Sequence, residues 1–145
     1  MAFIFQAKPS VYDLRERLSV DKDVGWLASR YYKEMKPGDI VFFWLAGDKK
    51  QRGLYGWGEI SPKGVFKDSK DLYRVAVSYK KSFNEMDPPS HISYKEFQKD
   101  PVLKDLTLLH MAIGTNFILS KEEYNAINEL IVKHYGAEWA PGKKE

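Results

Sequence analysis

Hydrophobic and polar positions along the chain fall into a few clear patterns. Ile40-Val41-Phe42-Phe43-Trp44-Leu45 is apolar at every position. In an extended chain, Ile40, Phe42 and Trp44 then face one way and Val41, Phe43 and Leu45 the other. A strand apolar on both faces belongs in the middle of a sheet or barrel. Lys36-Pro37-Gly38-Asp39 before it is a turn signal, since proline presets one central φ and glycine permits φ > 0 at the next. Gly53 to Ile60 predicts a neighbouring strand, with Leu54, Gly56, Gly58 and Ile60 on one face and Tyr55, Trp57 and Glu59 on the other. Its alternate glycines clear one face for another backbone or a flat ligand. With Trp44 ending the strand before it, the pair is expected to form the wall and floor of a pocket. Leu72 to Lys80 alternates as a half-exposed strand does, with Tyr73, Val75, Val77 and Tyr79 opposed to Arg74, Ala76, Ser78 and Lys80. Phe3 to Ala7 reads as a first strand.

Helical signals are shorter. Ser10 is positioned to cap a helix carrying Val11, Leu14 and Leu18 on one face. Ser19 to Val24 reads as a polar loop leading to Gly25-Trp26, and Leu27 to Met35 as loop plus a helical turn. Ser82 to Ile92, with Pro88-Pro89, reads as a loop. Ser93 and Glu96 form a capping-box pair for a short helix through Lys99, which Asp100-Pro101 ends; Val102 to Leu106 reads as a further turn of helix. Leu108 to Ile113 reads as a final strand or an irregular buried segment, and Gly114-Thr115-Asn116-Phe117 as a turn. The strongest helix begins at the second capping box, Ser120 with Glu123. It aligns Tyr124, Ile127, Leu130, Ile131 and His134 on one face and stops at Gly136. Residues 1–136 thus read as one domain and 137–145 as a polar tail or linker, the latter being what is expected of one module within a longer protein.

Composition narrows the class. A chain of 145 residues can bury a core without staples. It has no cysteine, which excludes disulfides and thiolate metal sites and fits a reducing cytoplasm. No signal peptide or membrane-length apolar run is present in the sequence. The net charge of +3 permits nucleic-acid binding without arguing for it. An aromatic content of 14% raises the prospect of a stacking surface, although a ring-rich core accounts for most of those residues.

Catalysis finds little support. His91, His110 and His134 are far apart, with no metal-type spacing, nucleophile elbow, phosphate loop or paired carboxylates. No metal, cofactor or catalytic residue is therefore assigned, and His134 reads as structural. Trp26 lies outside any periodic apolar face. It either lids the core or walls a base cage, with backbone groups of Leu27 and Ala28 and the Ser29 hydroxyl at the base edge. Trp44 can face core or pocket. Trp57 reads as packing against a helix, and Trp139 as local packing. Asn116 in the Gly114–Phe117 turn can donate and accept along a base edge. Lys8, Arg30, Lys33, Lys49, Lys50 and Arg52 flank this pocket in sequence, where together they would hold a phosphate backbone.

Six segments in order carry a resemblance. They are Phe5-Gln6-Ala7-Lys8-Pro9, Trp26 with Arg30, Pro37-Gly38-Asp39, Phe43-Trp44-Leu45-Ala46-Gly47, Gly53-Leu54-Tyr55-Gly56-Trp57-Gly58 and Gly114-Thr115-Asn116-Phe117. From about Phe3 to Tyr135 the chain resembles the EVE domain, a PUA-superfamily relative of the YTH readers. The resemblance implies an α+β, PUA-like domain with a curved mixed sheet or open barrel of about five to six strands flanked by helices. It implies a pocket that accepts one flipped modified base, with Trp26 stacking on it and Asn116 and Phe117 at the rim. The expected function is a non-enzymatic reader of a methylated or hydroxymethylated base such as 5-methylcytosine. DNA is favoured over RNA, the domain acts as a monomer, and it serves as a specificity module for a nuclease or AAA-type motor in a modification-dependent restriction system. The alternatives are an RNA-binding PUA-like module and a small-molecule-binding regulatory domain.

Overall fold

The computed structural model describes residues 1–8, 23–110 and 113–142. Within them, seven strands form one sheet: β1 (Ala2–Ala7), β2 (Asp23–Leu27), β3 (Ile40–Leu45), β4 (Gly53–Lys67), β5 (Tyr73–Ser82), β6 (Ile92–Ser93) and β7 (Asn116–Leu119). The order is β2-β5-β4-β3-β1-β7, with β6 appended to β4. β1 and β3 are parallel, and the other pairs are antiparallel. The mixed sheet curls into a six-stranded half-barrel, a PUA-like α+β architecture.

β3 sits centrally because both of its faces are apolar, and it divides the interior in two. Val41, Phe43 and Leu45 join Phe3, Phe5, Trp26, Val75, Val77 and Tyr79 inside the curl. Ile40, Phe42 and Trp44 join Ile4, Leu54, Trp57, Phe97, Tyr124 and Ile127 on the helical face. That face is covered by α1 (Tyr94–Lys99), α2 (Thr107–His110) and α3 (Lys121–Tyr135). Helix α3 starts at a complete capping box, in which Ser120 Oγ accepts from the Glu123 N–H at 3.1 Å and Glu123 Oε1 from the Ser120 N–H at 2.8 Å. His134 reaches Glu96 of α1 at 3.5 Å, a structural position.

Several expectations change. In β4, Tyr55 lies inside the curl and Trp57 on the helical face, although the alternation puts them together. The register shift at Phe43/Trp44 inserts one extra residue, and a bulge reverses the parity beyond it. The same reversal separates Leu54 from Ile60. Gly58 admits a backbone and no ligand, since a Cβ there would collide with the Ser78 carbonyl of β5. Trp57 packs as expected and donates its indole N–H to the Trp139 carbonyl at 2.8 Å. Gly25-Trp26 is strand where a loop is expected. The segment from Leu108 begins in helix α2, and the final strand is instead Asn116–Leu119, where the turn is expected. Beyond Gly136, Ala137–Trp139 forms a 3-10 turn and Ala140 is buried, so packed structure continues past the helix. The helix expected after Ser10, with Val11, Leu14 and Leu18, lies outside the described residues. Among the described residues no helix is long and apolar enough to cross a membrane.

Candidate functional site

Among the described residues, the sheet does not close upon itself by a backbone ladder. β2 and β7 are its two ends, and a side chain clasps them together. Asn116 is fully buried. It donates through Nδ2 to the Leu27 carbonyl at 3.0 Å, while its Oδ1 accepts from the N–H groups of Ser29 at 3.0 Å and Arg30 at 3.3 Å. The Ser29 hydroxyl approaches the same oxygen at 3.5 Å. On the β1 side, the Gln6 backbone N–H donates to the Thr115 carbonyl at 2.7 Å and its Nε2 to the Gly114 carbonyl at 3.0 Å.

Beside this clasp is a cavity of about 400 Å³, lined by Gln6, Ala7 and Lys8 of the β1 end, Gly25, Trp26 and Leu27 of β2, Arg74 of β5, and Gly114 and Thr115. Ligand pockets span about 300–1,000 Å³, so this one is within the size range of a small-ligand site. Trp26 is one wall. Its ring stacks on Phe43 at 5.4 Å and 26°, and its Nε1 donates to the Tyr79 hydroxyl at 2.9 Å. The indole is thus a core residue, 6% exposed, that also lines the cavity. The Ala28 N–H donates to the Tyr73 carbonyl of β5. Strand alternation therefore turns the peptide groups of Gly25 and Leu27 the other way, toward the cavity, where Asn116 takes the Leu27 carbonyl.

Cations stand at the mouth. Lys8 is exposed, and the Arg30 guanidinium lies 3.6 Å from where a Gly114 Cβ would be. Arg74 Nε donates to Asp68 Oδ2 at 3.0 Å. Asp68 also accepts from the N–H groups of Leu72 and Lys70; these bonds, that of Leu72 foremost, and the Arg74 guanidinium lower its pKa.

The sequence-predicted residues divide accordingly. Trp26, Leu27 and Lys8 line the cavity, and Arg30 reaches its edge. Ala28 is buried and its N–H is used by β5, while Ser29 and Asn116 are tied to one another. Asn116 shapes the rim and offers no free edge to a base. Trp44 and Phe117 lie in the helical-face core; Trp44 packs edge-on against Phe97 at 4.8 Å, so neither joins Trp26. The pocket expected between Trp44 and the glycine-cleared strand is replaced there by a small cavity of about 110 Å³. Arg52 lines that second cavity, donates to the Gly47 carbonyl from Nε and Nη2, and lies 5.3 Å from the Tyr94 ring centroid. Lys33, Lys49 and Lys50 are exposed and do not line the cavity between β1 and β2.

The sequence matches the EVE domain family over residues 2–130. The chain belongs to this family. No curated protein matches it. Among solved structures, this EVE domain is similar to Rpa0253 from Rhodopseudomonas palustris, with 17% identity, a TM-score of 0.66 and coverage of 86% of this chain and 88% of that one. It is also similar to a hypothetical protein from Leishmania major, with 16% identity, a TM-score of 0.67 and coverage of 92% and 95%. A third is human THYN1, solved in complex with 5-methylcytosine-containing DNA, with 16% identity, a TM-score of 0.63 and coverage of 89% and 96%. These likenesses establish the fold. Gln6, Ala7 and Gly114 of the EVE domain's cavity lie in segments that carry the resemblance, which is the signal that points to them. Arg74 has none, because an outward arginine on an alternating strand reads as solvated.

Proposed function

We propose that this EVE domain is a non-enzymatic reader of a modified base in DNA, held extruded in the cavity between β1 and β2. The observation that carries the reading is the cavity itself, an opening left where the curled sheet is clasped by a side chain, walled by the Trp26 indole and flanked by Lys8, Arg30 and Arg74. The complex of human THYN1 with 5-methylcytosine-containing DNA supports the ligand class. A duplex hides its bases, so reading one in a cavity requires extrusion, at a cost of a few kcal/mol. Stacking on an aromatic returns about 1–3 kcal/mol per base. The peptide groups of Gly25 and Leu27 face the base edge, and the cations meet phosphates on either side. A buried methyl adds roughly 0.8 kcal/mol, so preference for the modified base is modest unless the unmodified base leaves a polar group unpaired.

The test is an amide NMR titration with a short duplex carrying one 5-methylcytosine, its unmodified twin and the same strand as RNA. The methylated duplex is expected to bind more tightly than either, to shift Gln6–Lys8, Gly25–Leu27, Gly114–Thr115 and the Trp26 indole, and to brighten 2-aminopurine placed opposite the modified base. Equal affinity for all three, with shifts confined to the loop between β3 and β4, overturns the reading. So does recovery of cleaved or demodified DNA.

A further inference from the structure

Tyr31 occupies a turn position whose backbone does not require a side chain. Its φ is 60°, in the left-handed region that strains a residue with a Cβ. The residues around it are fixed. The Arg30 N–H donates to Asn116, and Tyr32 stacks on Tyr73 with centroids 4.1 Å apart and planes 11° apart. Met35 is buried, and the Tyr31 carbonyl accepts from the Glu34 and Met35 N–H groups at 2.9 and 3.2 Å. Tyr31, between these anchors, is 36% exposed, and its ring meets no aromatic, cationic or hydrogen-bonding partner among the described residues. Glycine would make the same turn without strain. Arg30, the preceding residue, lays its guanidinium over Gly114 of the cavity wall. Tyr31 thus directly follows the residue whose N–H joins the Asn116 clasp and whose guanidinium meets the cavity wall.

We propose that Tyr31 stacks on the nucleotide next to the one held in the cavity. The inference rests on the reading that the cavity takes an extruded base. Extrusion uncovers a face on each neighbouring base. A strained, exposed aromatic one residue from the rim covers such a face, and it does so for any sequence because every base has a π-face. Arg30 meets the phosphate between the two nucleotides.

Two probes separate this inference from the cavity reading. Free 5-methyl-2′-deoxycytidine occupies the cavity alone, whereas a duplex with one 5-methylcytosine brings the neighbouring nucleotides as well. Calorimetric titration of Tyr31→Gly is expected to show duplex affinity reduced about 5- to 100-fold, nucleoside affinity unchanged, and a melting temperature equal to or above that of the wild type. Tyr31→Phe is expected to bind both probes as the wild type does. Wild-type duplex affinity in Tyr31→Gly overturns the inference and leaves the cavity reading standing. An equal loss for the nucleoside, or a lowered melting temperature, overturns it too, since the ring then supports the cavity or the fold. A wild type that binds neither probe removes the cavity reading and this inference with it.

Discussion

Asn116 uses its donor and its acceptor inside the protein, on Leu27, Ser29 and Arg30. Removing it leaves buried backbone groups unpaired, which costs about 1–3 kcal/mol each before relaxation. Asn116→Ala is therefore expected to lose about 2–4 kcal/mol in urea denaturation. Asn116→Asp is expected to lose more, because a carboxylate oxygen would then face the Leu27 carbonyl. Wild-type stability in Asn116→Ala would show that the clasp lies elsewhere. Trp26 combines packing with a place on the cavity wall. Trp26→Ala is expected to lose about 3–5 kcal/mol of stability as well as affinity. Trp26→Phe keeps a ring against Phe43 but removes the donor to Tyr79, with a loss of about 1 kcal/mol and weaker binding of methylated duplex. A Trp26→Ala protein with an unchanged melting temperature would contradict the packing in the curl.

At the level of elements, β4 and β5 approach so closely at Gly58 that a side chain has no room. Gly58→Ala is expected to cost about 1–3 kcal/mol by overpacking, seen as a lower denaturation midpoint, with the cavity between β1 and β2 unaffected because β4 does not line it. Preferential loss of DNA affinity at unchanged stability would return Gly58 to a ligand-facing role. β3, β5 and α3 were legible in the sequence, since each carries a full face of one periodicity and α3 carries both of its end signals. β2 was not, because polar residues precede Gly25 and its strand character comes from pairing with β5. The strand Asn116–Leu119 was hidden for a related reason. Four residues show too little alternation to outweigh a Gly-Thr-Asn turn signal, and pairing with β1 decides them.

For the whole molecule, the cations at the cavity mouth act together on a phosphate backbone. Lys8→Glu combined with Arg30→Glu is expected to weaken methylated and unmethylated duplex alike and to lower the slope of log affinity against log salt by about 2. Loss confined to methylated DNA would mean that these residues read the base. His91 stacks flat on Tyr55 at 4.7 Å. Burial lowers its pKa below 6.5, against a smaller upward push from its backbone hydrogen bond with Lys50. Below pH 6.5 the unfolded chain takes up the proton more readily than the folded one. His91 therefore contributes full stability above that pH and loses it as the pH falls toward its lowered value. His91→Phe, which keeps the stack, is expected to flatten the stability profile in that acid window; an unchanged profile would exclude His91 as its source.

The sequence by itself determined the central strand with its two apolar faces, the alternating strand after it, the capped last helix and the family to which these belong. Periodicity and end caps are local, so they survive without the fold. The candidate site was partly legible: Trp26, Leu27 and Lys8 stood out, but Trp44 was grouped with them as a strand-end ring, Phe117 through the resemblance and Arg52 as part of a cationic loop. Tertiary structure alone decided that Trp44 and Phe117 belong to the other core, because Trp26 stacks on Phe43, on the face of β3 opposite Trp44, and the pairing of β7 with β1 sets Phe117 beside Ile4 in the helical-face core. It alone decided that Asn116 is a clasp, since the ends it joins are 86 to 89 residues apart. The cavity follows from that closure: it lies where two distant sheet ends meet through one side chain, a place defined by curl and register.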